Sequence, residues 1–202
     1  VGELATLKKV RKKLETKYVE AYASISKVLS QGDQAWPKLL TLGQQLESTQ
    51  SHAFCQSRNK LIQMYGDAVQ IQPTFETIFS NIATTTNATF TAAPMKHLFR
   101  ALEKTSMKPA SDTNLDRADN VCDVRRGMLV YSNFGDMVRG IKATVAHEDI
   151  VVMRTKDRYS SPTSGGWMDL VINLKFKSDR NAHVVEIQFI HKGLLAVREA
   201  CG

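Results

Sequence analysis

The sequence predicts an α+β fold: a small mixed β-sheet flanked by helices, preceded by a long antiparallel α-helical hairpin. Apolar residues recur at helical spacing through the N-terminal third, and Gln72-Pro73 interrupts that spacing. Beyond the middle of the chain, short apolar runs of strand length take over. This change of period marks two units, a helical hairpin over 1–72 and a mixed domain over 73–202.

Leu4, Leu7, Leu14, Tyr18, Ala21, Ile25 and Val28 form a near-heptad stripe interrupted by Arg11, which predicts a long amphipathic first helix. Gln31-Gly32-Asp33 supplies a stop and a fresh N-cap, and Pro37 suits a first helical turn. A second stripe runs through Leu39, Leu40, Leu46, Phe54, Leu61, Met64 and Ala68, so a short turn joins two long helices. After Pro73, the spacing of Phe75, Ile78, Phe79 and Ile82 predicts a short helix ahead of a polar stretch from Thr84 to Thr91. Pro94 opens another helix with Leu98, Ala101 and Leu102, which fades into a loop from Lys108 to Asp119. Strands are expected over 127–131, 150–153, 170–176 and 184–189, with helices over 134–143 and 193–200. Ser178-Asp179-Arg180-Asn181 reads as the turn of a hairpin between the last two strands.

The chain of 202 residues is 43% hydrophobic and 23% charged, which excludes disorder and a membrane-embedded bundle. Lys and Arg outnumber Asp and Glu by 27 to 20, a formal charge of +7 that favours anionic partners such as nucleotides, RNA or acidic surfaces. Lys8, Lys9, Arg11, Lys12, Lys13 and Lys17 crowd the first helix, where the same residues also make an ordinary solvated face. Cys55, Cys122 and Cys201 are odd in number and lack ligand spacing, which fits a reducing, cytoplasmic compartment and argues against a disulfide framework or zinc site. No apolar run approaches a membrane span. The start at Val1 reads as a cut from a longer protein, with targeting signals outside the legible sequence.

Four elements could carry chemistry. Lys156 to Trp167 is a polar loop with Gly165-Gly166, in which Lys156 and Arg158 can meet phosphates and Trp167 offers a face for stacking a base. In Glu186-Ile187-Gln188, strand alternation puts Glu186 and Gln188 on one surface. Asp123 precedes a strand with Arg125 and Arg126 beside it. An Asp and a Glu from neighbouring strands can hold Mg2+ while waters and nucleotide phosphates complete its shell. Lys96, Arg100 and Lys104, four apart after Pro94, would align three cations on one helix face. Each element alone also has a bland reading as capping, solubility or turn structure. His183 and His191 flank the Glu186 strand and read as structural, and His52, His97 and His147 lack ligand spacing.

In this order the elements resemble the synthetase domain of the RelA/SpoT family, over roughly residues 73–200. The family's loop K-D-Y-x-x-x-P-x-x-N-G-Y is met by Lys156-Asp157, Pro162, Gly166 and Trp167 without a gap, and its strand E-x-Q-x-R by Glu186 and Gln188. The match departs in places. Arg126 stands where the family's D-L-x-G-x-R has its glycine, Met168-Asp169-Leu170-Val171 replaces x-S-L-H, and Ile190 replaces the closing arginine.

The resemblance implies a nucleotidyltransferase-like sheet and Mg2+-dependent transfer of a pyrophosphate or nucleotidyl group from ATP to a second nucleotide or an RNA 3′ end. It implies that Asp123 and Glu186 are the catalytic pair and bind Mg2+, and that Lys96, Arg100 and Lys104 face the ATP phosphates. Arg125 or Arg126 would lie by the donor nucleotide. Lys156, Arg158, Trp167 and Gln188 would meet the acceptor. The alternative is a catalytically degenerate module that binds nucleotide or protein, with the basic hairpin over 1–72 as a surface for a partner or for dimerisation.

Overall fold

A computed structural model describes residues 2–49, 55–106 and 118–201. Its architecture is the expected α+β one, with a five-stranded mixed sheet backed by helices. Helices α1 (Gly2–Ser30), α2 (Trp36–Ser48), α3 (Leu61–Gln70) and α4 (Gln72–Thr85) lead into strand β1 (Thr89–Ala92). Helix α5 (Leu98–Ser106), β2 (Arg126–Tyr131), α6 (Phe134–Ala146), β3 (Ile150–Asp157), β4 (Leu170–Phe176), β5 (Val185–His191) and α7 (Lys192–Cys201) follow.

The strand order is β1-β2-β5-β4-β3. Among the described residues only β2 and β5 pair in parallel, with Arg126 opposite Glu186 and Met128 opposite Gln188. The expected hairpin of the last two strands is present, with Asn173 of β4 opposite Glu186 of β5. Arg154 of β3 stands opposite Asn173 in turn, just after a register shift between Val152 and Arg154.

One face of the sheet is the core. Leu129, Tyr131, Ile172, Leu174, Ile187 and Phe189 point into it, against Phe75, Phe79 and Ile82 of α4 and Phe134, Met137 and Ile141 of α6. Burying such side chains contributes about 2 kcal/mol each, which is the main force holding helices to sheet. Helix α2 joins the same layer through Leu39, and Gly43 brings its backbone against β3: a Cβ there would lie 2.6 Å from the Asp157 carboxylate. A small second cluster, including Met64, Ala68, Ala101, Val121 and Val124, fastens α3 and α5 to the segment before β2.

Several boundaries differ from expectation. The second long helix is divided: α2 stops at Ser48, the backbone is not helical over 55–60, and α3 begins at Leu61. Apolar period alone cannot register such a break. The polar stretch ends in strand β1, which propensity missed because an edge strand needs only one apolar residue, Phe90, to reach the core. The helix after Pro94 starts at Leu98, leaving Lys96 ahead of it, where its backbone N–H donates to the Val124 carbonyl at 3.0 Å. Strand β3 runs on to Asp157, so Lys156 belongs to a strand and not to a loop. Most of the expected 108–119 loop, and the side chains of the five basic residues Lys8 to Lys13, lie outside the described residues. Among the described residues no helix is long and apolar enough to cross a membrane.

Candidate active site

Alternation along the strands puts Arg126, Met128, Glu186, Gln188, Val171, Asn173, Arg154 and Lys156 on the face of the sheet opposite the core. Polar residues dominate its centre. Pairing Arg126 with Glu186 across the parallel β2–β5 pair, and Arg154 with Glu186 through Asn173, sets cations on both sides of one carboxylate.

Asp123 sits just before β2 and is buried. Lys96 Nζ lies 2.9 Å from its Oδ2 and Lys104 Nζ 3.0 Å from its Oδ1. Burial works against the charged form, yet the hydrogen bonds and charges of the two lysines outweigh it and hold the carboxyl below the usual carboxylate range. Arg100 departs from the expected row. Its side chain is 73% exposed and pairs with Glu103 at 2.8 Å, because with Lys96 outside the helix the two lysines converge while Arg100 points away.

Glu186 is also buried, and its neighbours are of a different kind. Gln188 Nε2 donates to Oε1 at 3.1 Å and Asn173 Nδ2 to Oε2 at 3.4 Å. The same Asn173 amide donates to the Cys122 carbonyl at 3.3 Å, one residue before Asp123, so one buried side chain joins the Glu186 carboxylate to the backbone next to Asp123. Lys156 faces this centre. Burial and the cations Arg154, Lys104 and Arg158 lower its pKa, with Glu186 opposing them.

The remaining expected residues divide. Arg126 lines a cavity of about 210 Å3 with Ala93, Gly127, Met128, Gln188 and Arg198, and its buried Nε has no hydrogen-bond partner. Arg125 has the opposite parity and is buried, with Nη1 donating to the Ala93 carbonyl at 3.2 Å and Nη2 3.8 Å from Glu76. Arg158 is held by the fully buried Asp169, its Nη2 2.8 Å from Oδ2, so it braces the loop and is not brought to the open face. Trp167 is half-buried, packs edge-on against Tyr22, and carries the Arg198 guanidinium 4.6 Å above its ring centre. Gly166 permits this placement: it has φ +81°, and a Cβ there would lie 2.9 Å from the Val19 Cα of α1.

Sequence reasoning missed Arg154, Asn173 and Arg198. Arg154 and Lys156 are two apart, the spacing that shares a strand face, but ending β3 at Met153 hid it. Nothing in the sequence marks Arg198, which reaches the site only through the packing of α7.

The donor set can be tested against a divalent ion. Among the described residues no group of three or more His, Cys, Asp or Glu side chains is placed to hold a metal. The carboxylates present, Glu186 on β5 and Asp123 just before β2, are of the kind that suits Mg2+, a hard ion that commonly takes one or two protein carboxylates and fills its shell with water and phosphate oxygens.

No family model matches the sequence, and no curated protein matches it. Solved structures do match. Small alarmone synthetase 1 from Bacillus subtilis, bound to its product pppGpp, superposes with a TM-score of 0.54 at 15% identity, covering 66% of this chain and 74% of that one. A GTP pyrophosphokinase family protein from Streptococcus pneumoniae gives 0.56 at 12% identity, covering 68% and 73%. Small alarmone synthetase 2 from Bacillus subtilis gives 0.52 at 17% identity, covering 66% and 74%. The chain therefore has a divergent RelA/SpoT-like synthetase fold.

Proposed function

We propose that the chain transfers a pyrophosphate or nucleotidyl group from ATP to a hydroxyl of a second nucleotide or of an RNA 3′ end, with Mg2+. The observation that carries this reading is the grouping of Glu186 with Arg126, Arg154 and Lys156 on one sheet face, beside the segment before β2 where Lys96 and Lys104 hold the buried Asp123. Such a surface has cations for a triphosphate and acids for its counter-ion. The structural neighbours, which are synthetases, support pyrophosphoryl transfer among the reactions such a surface can perform.

In that reaction the acceptor hydroxyl gives up its proton to water, its oxygen forms a bond to the β-phosphorus of ATP, the bond from that phosphorus to the α–β bridging oxygen breaks, and AMP leaves. Mg2+, when bound by Asp123 and Glu186, supplies charge neutralisation on the transferring phosphates. The chain's own residues do the positioning. Lys96 and Lys104 move from Asp123 to phosphate oxygens, Arg126 offers its unpartnered Nε to the donor, and Lys156 and Gln188 meet the acceptor. Trp167 stacks the acceptor base on the ring face not covered by Arg198.

A second reading has a specific observation in its favour: both oxygens of Asp123 are already paired with lysines, and Arg158 is committed to Asp169. A module that binds nucleotide without turning it over fits those contacts too. Parallel incubations with ATP labelled in the α phosphate and with ATP labelled in the β and γ phosphates, each with Mg2+ and a panel of nucleotides and RNAs, separate the two. Label transfer that is lost in Glu186→Ala supports the enzyme. Nucleotide binding with equal inertness of both proteins supports the module.

A further inference from the structure

We infer that Asn173 is a positioning residue that orients Glu186 for the divalent ion, an inference that rests on the catalytic reading above. Asn173 lies mid-strand in β4, is 1% exposed, and uses both ends of its amide. Oδ1 accepts from Arg154 Nε at 3.1 Å and Nη2 at 2.9 Å. A guanidinium only donates, so it fixes which end of the amide faces β3. The NH2 group must then point the other way, where it meets two acceptors, the Glu186 carboxylate and the Cys122 carbonyl.

The chemistry of this contact differs from that at Asp123. Two lysines neutralise Asp123, whereas among the described residues the Glu186 carboxylate is hydrogen-bonded by amides, those of Asn173 and Gln188. An amide orients a carboxylate without cancelling its charge, so these contacts restrict the rotation of Glu186 and leave its charge to the nearby cations and to an added ion. The third bond, to the carbonyl beside Asp123, ties the spacing of the two acids to the same side chain. Asn173 thus transmits the position of Arg154 on β3 to the Glu186 carboxylate and to the backbone beside Asp123.

A double-mutant cycle tests this, with Mn2+ as the probe, its binding followed by electron paramagnetic resonance in the presence of a non-hydrolysable ATP analogue. Asn173→Leu and the smaller Asn173→Ser, the latter in case leucine prevents folding, are each measured in wild-type and Glu186→Gln backgrounds. Mn2+ affinity is expected to fall roughly tenfold in the wild-type background and to stay unchanged in the Glu186→Gln background, since residues acting through one contact are not additive. An equal loss in both backgrounds overturns the inference, because a merely structural role predicts it. Loss in Glu186→Gln with no effect of either Asn173 substitution overturns the inference alone and leaves the proposed function intact. If Glu186→Gln binds Mn2+ as tightly as wild type, the metal pair itself fails and the role of Asn173 fails with it.

Discussion

Replacing Gly43 by alanine probes the contact that fixes the start of the 157–167 loop. The new Cβ would lie 2.6 Å from Asp157 Oδ2 and 2.7 Å from its Cγ, so the carboxylate must retreat by about 0.8 Å to reach ordinary contact at 3.4 Å. Asp157 is not free to do so. Its Oδ1 accepts from the backbone N–H groups of Tyr159 at 3.0 Å and Ser160 at 3.1 Å, and its Oδ2 from the Ser160 hydroxyl. Overpacking of this kind costs about 1–3 kcal/mol, and each weakened hydrogen bond adds up to about 1 kcal/mol. Alanine returns only about 1 kcal/mol of helix propensity. The net loss is about 2–3 kcal/mol, a fall of about 5–10 °C in Tm for a domain of this size. Gly66→Ala in α3 is the control, since a Cβ there meets nothing within 4 Å and should stabilise by about 0.5–1 kcal/mol. Calorimetry of both variants is decisive: if Gly43→Ala melts at or above the wild-type temperature, the close approach of α2 to β3 does not exist as described.

Gly140→Ala should be more damaging still, because its Cβ would collide with the Tyr131 hydroxyl that meets Thr86 Oγ1 inside the core; urea unfolding should show at least about 2 kcal/mol lost, and a neutral result would refute the α6–β2 packing. His183 is buried with an unpartnered Nε2, and desolvation, opposed by Asp67 and Asp179, lowers its pKa from 6.5 to about 4. The unfolded chain therefore binds its proton first on acidification, so this group's contribution is intact above pH 6.5 and about 3 kcal/mol is lost as pH falls towards 4. His183→Leu should flatten the stability profile in that window, and an unaltered slope would assign the acid sensitivity elsewhere. Because both Asp123 oxygens are engaged by Lys96 and Lys104, Mn2+ alone should bind more weakly than Mn2+ with an ATP analogue. Lys104→Met should narrow that gap, as seen by calorimetric titration, and equal gaps in both proteins would refute the competition.

The fold class was legible because the core strands β2, β4 and β5 carry apolar residues in runs too short for helices, and Ser178 to Asn181 supplied an evident turn. The placement of Asp123 just before β2 and of Glu186 and Gln188 on one face of β5 was legible through a strand start and an alternating strand. What stayed hidden depended on register. The shift between Val152 and Arg154 decides which face Arg154 and Lys156 share, and no pattern of residue types announces it. Lys96 was assigned to a helix because Pro94 favours a first turn, but the bond of its N–H to Val124 holds the chain extended past that point. Arg125 and Arg126 were indistinguishable in sequence, whereas alternation buries one and opens the other. Arg158 looked like a phosphate ligand until the buried Asp169 claimed it, a pairing that burial enforces.

The place of β5 in the sheet has a consequence for how the chain is made. β1 pairs with β2, and β3 with β4, and among the described strands these two ribbons are hydrogen-bonded to one another through β5, which is made after the other four. Until then β2 and β4 each present a bare edge with unsatisfied backbone groups and apolar side chains, the condition under which nascent chains stick to one another. A polypeptide stalled before β5 therefore keeps those edges exposed, and it also lacks Glu186, which stands mid-sheet on that strand.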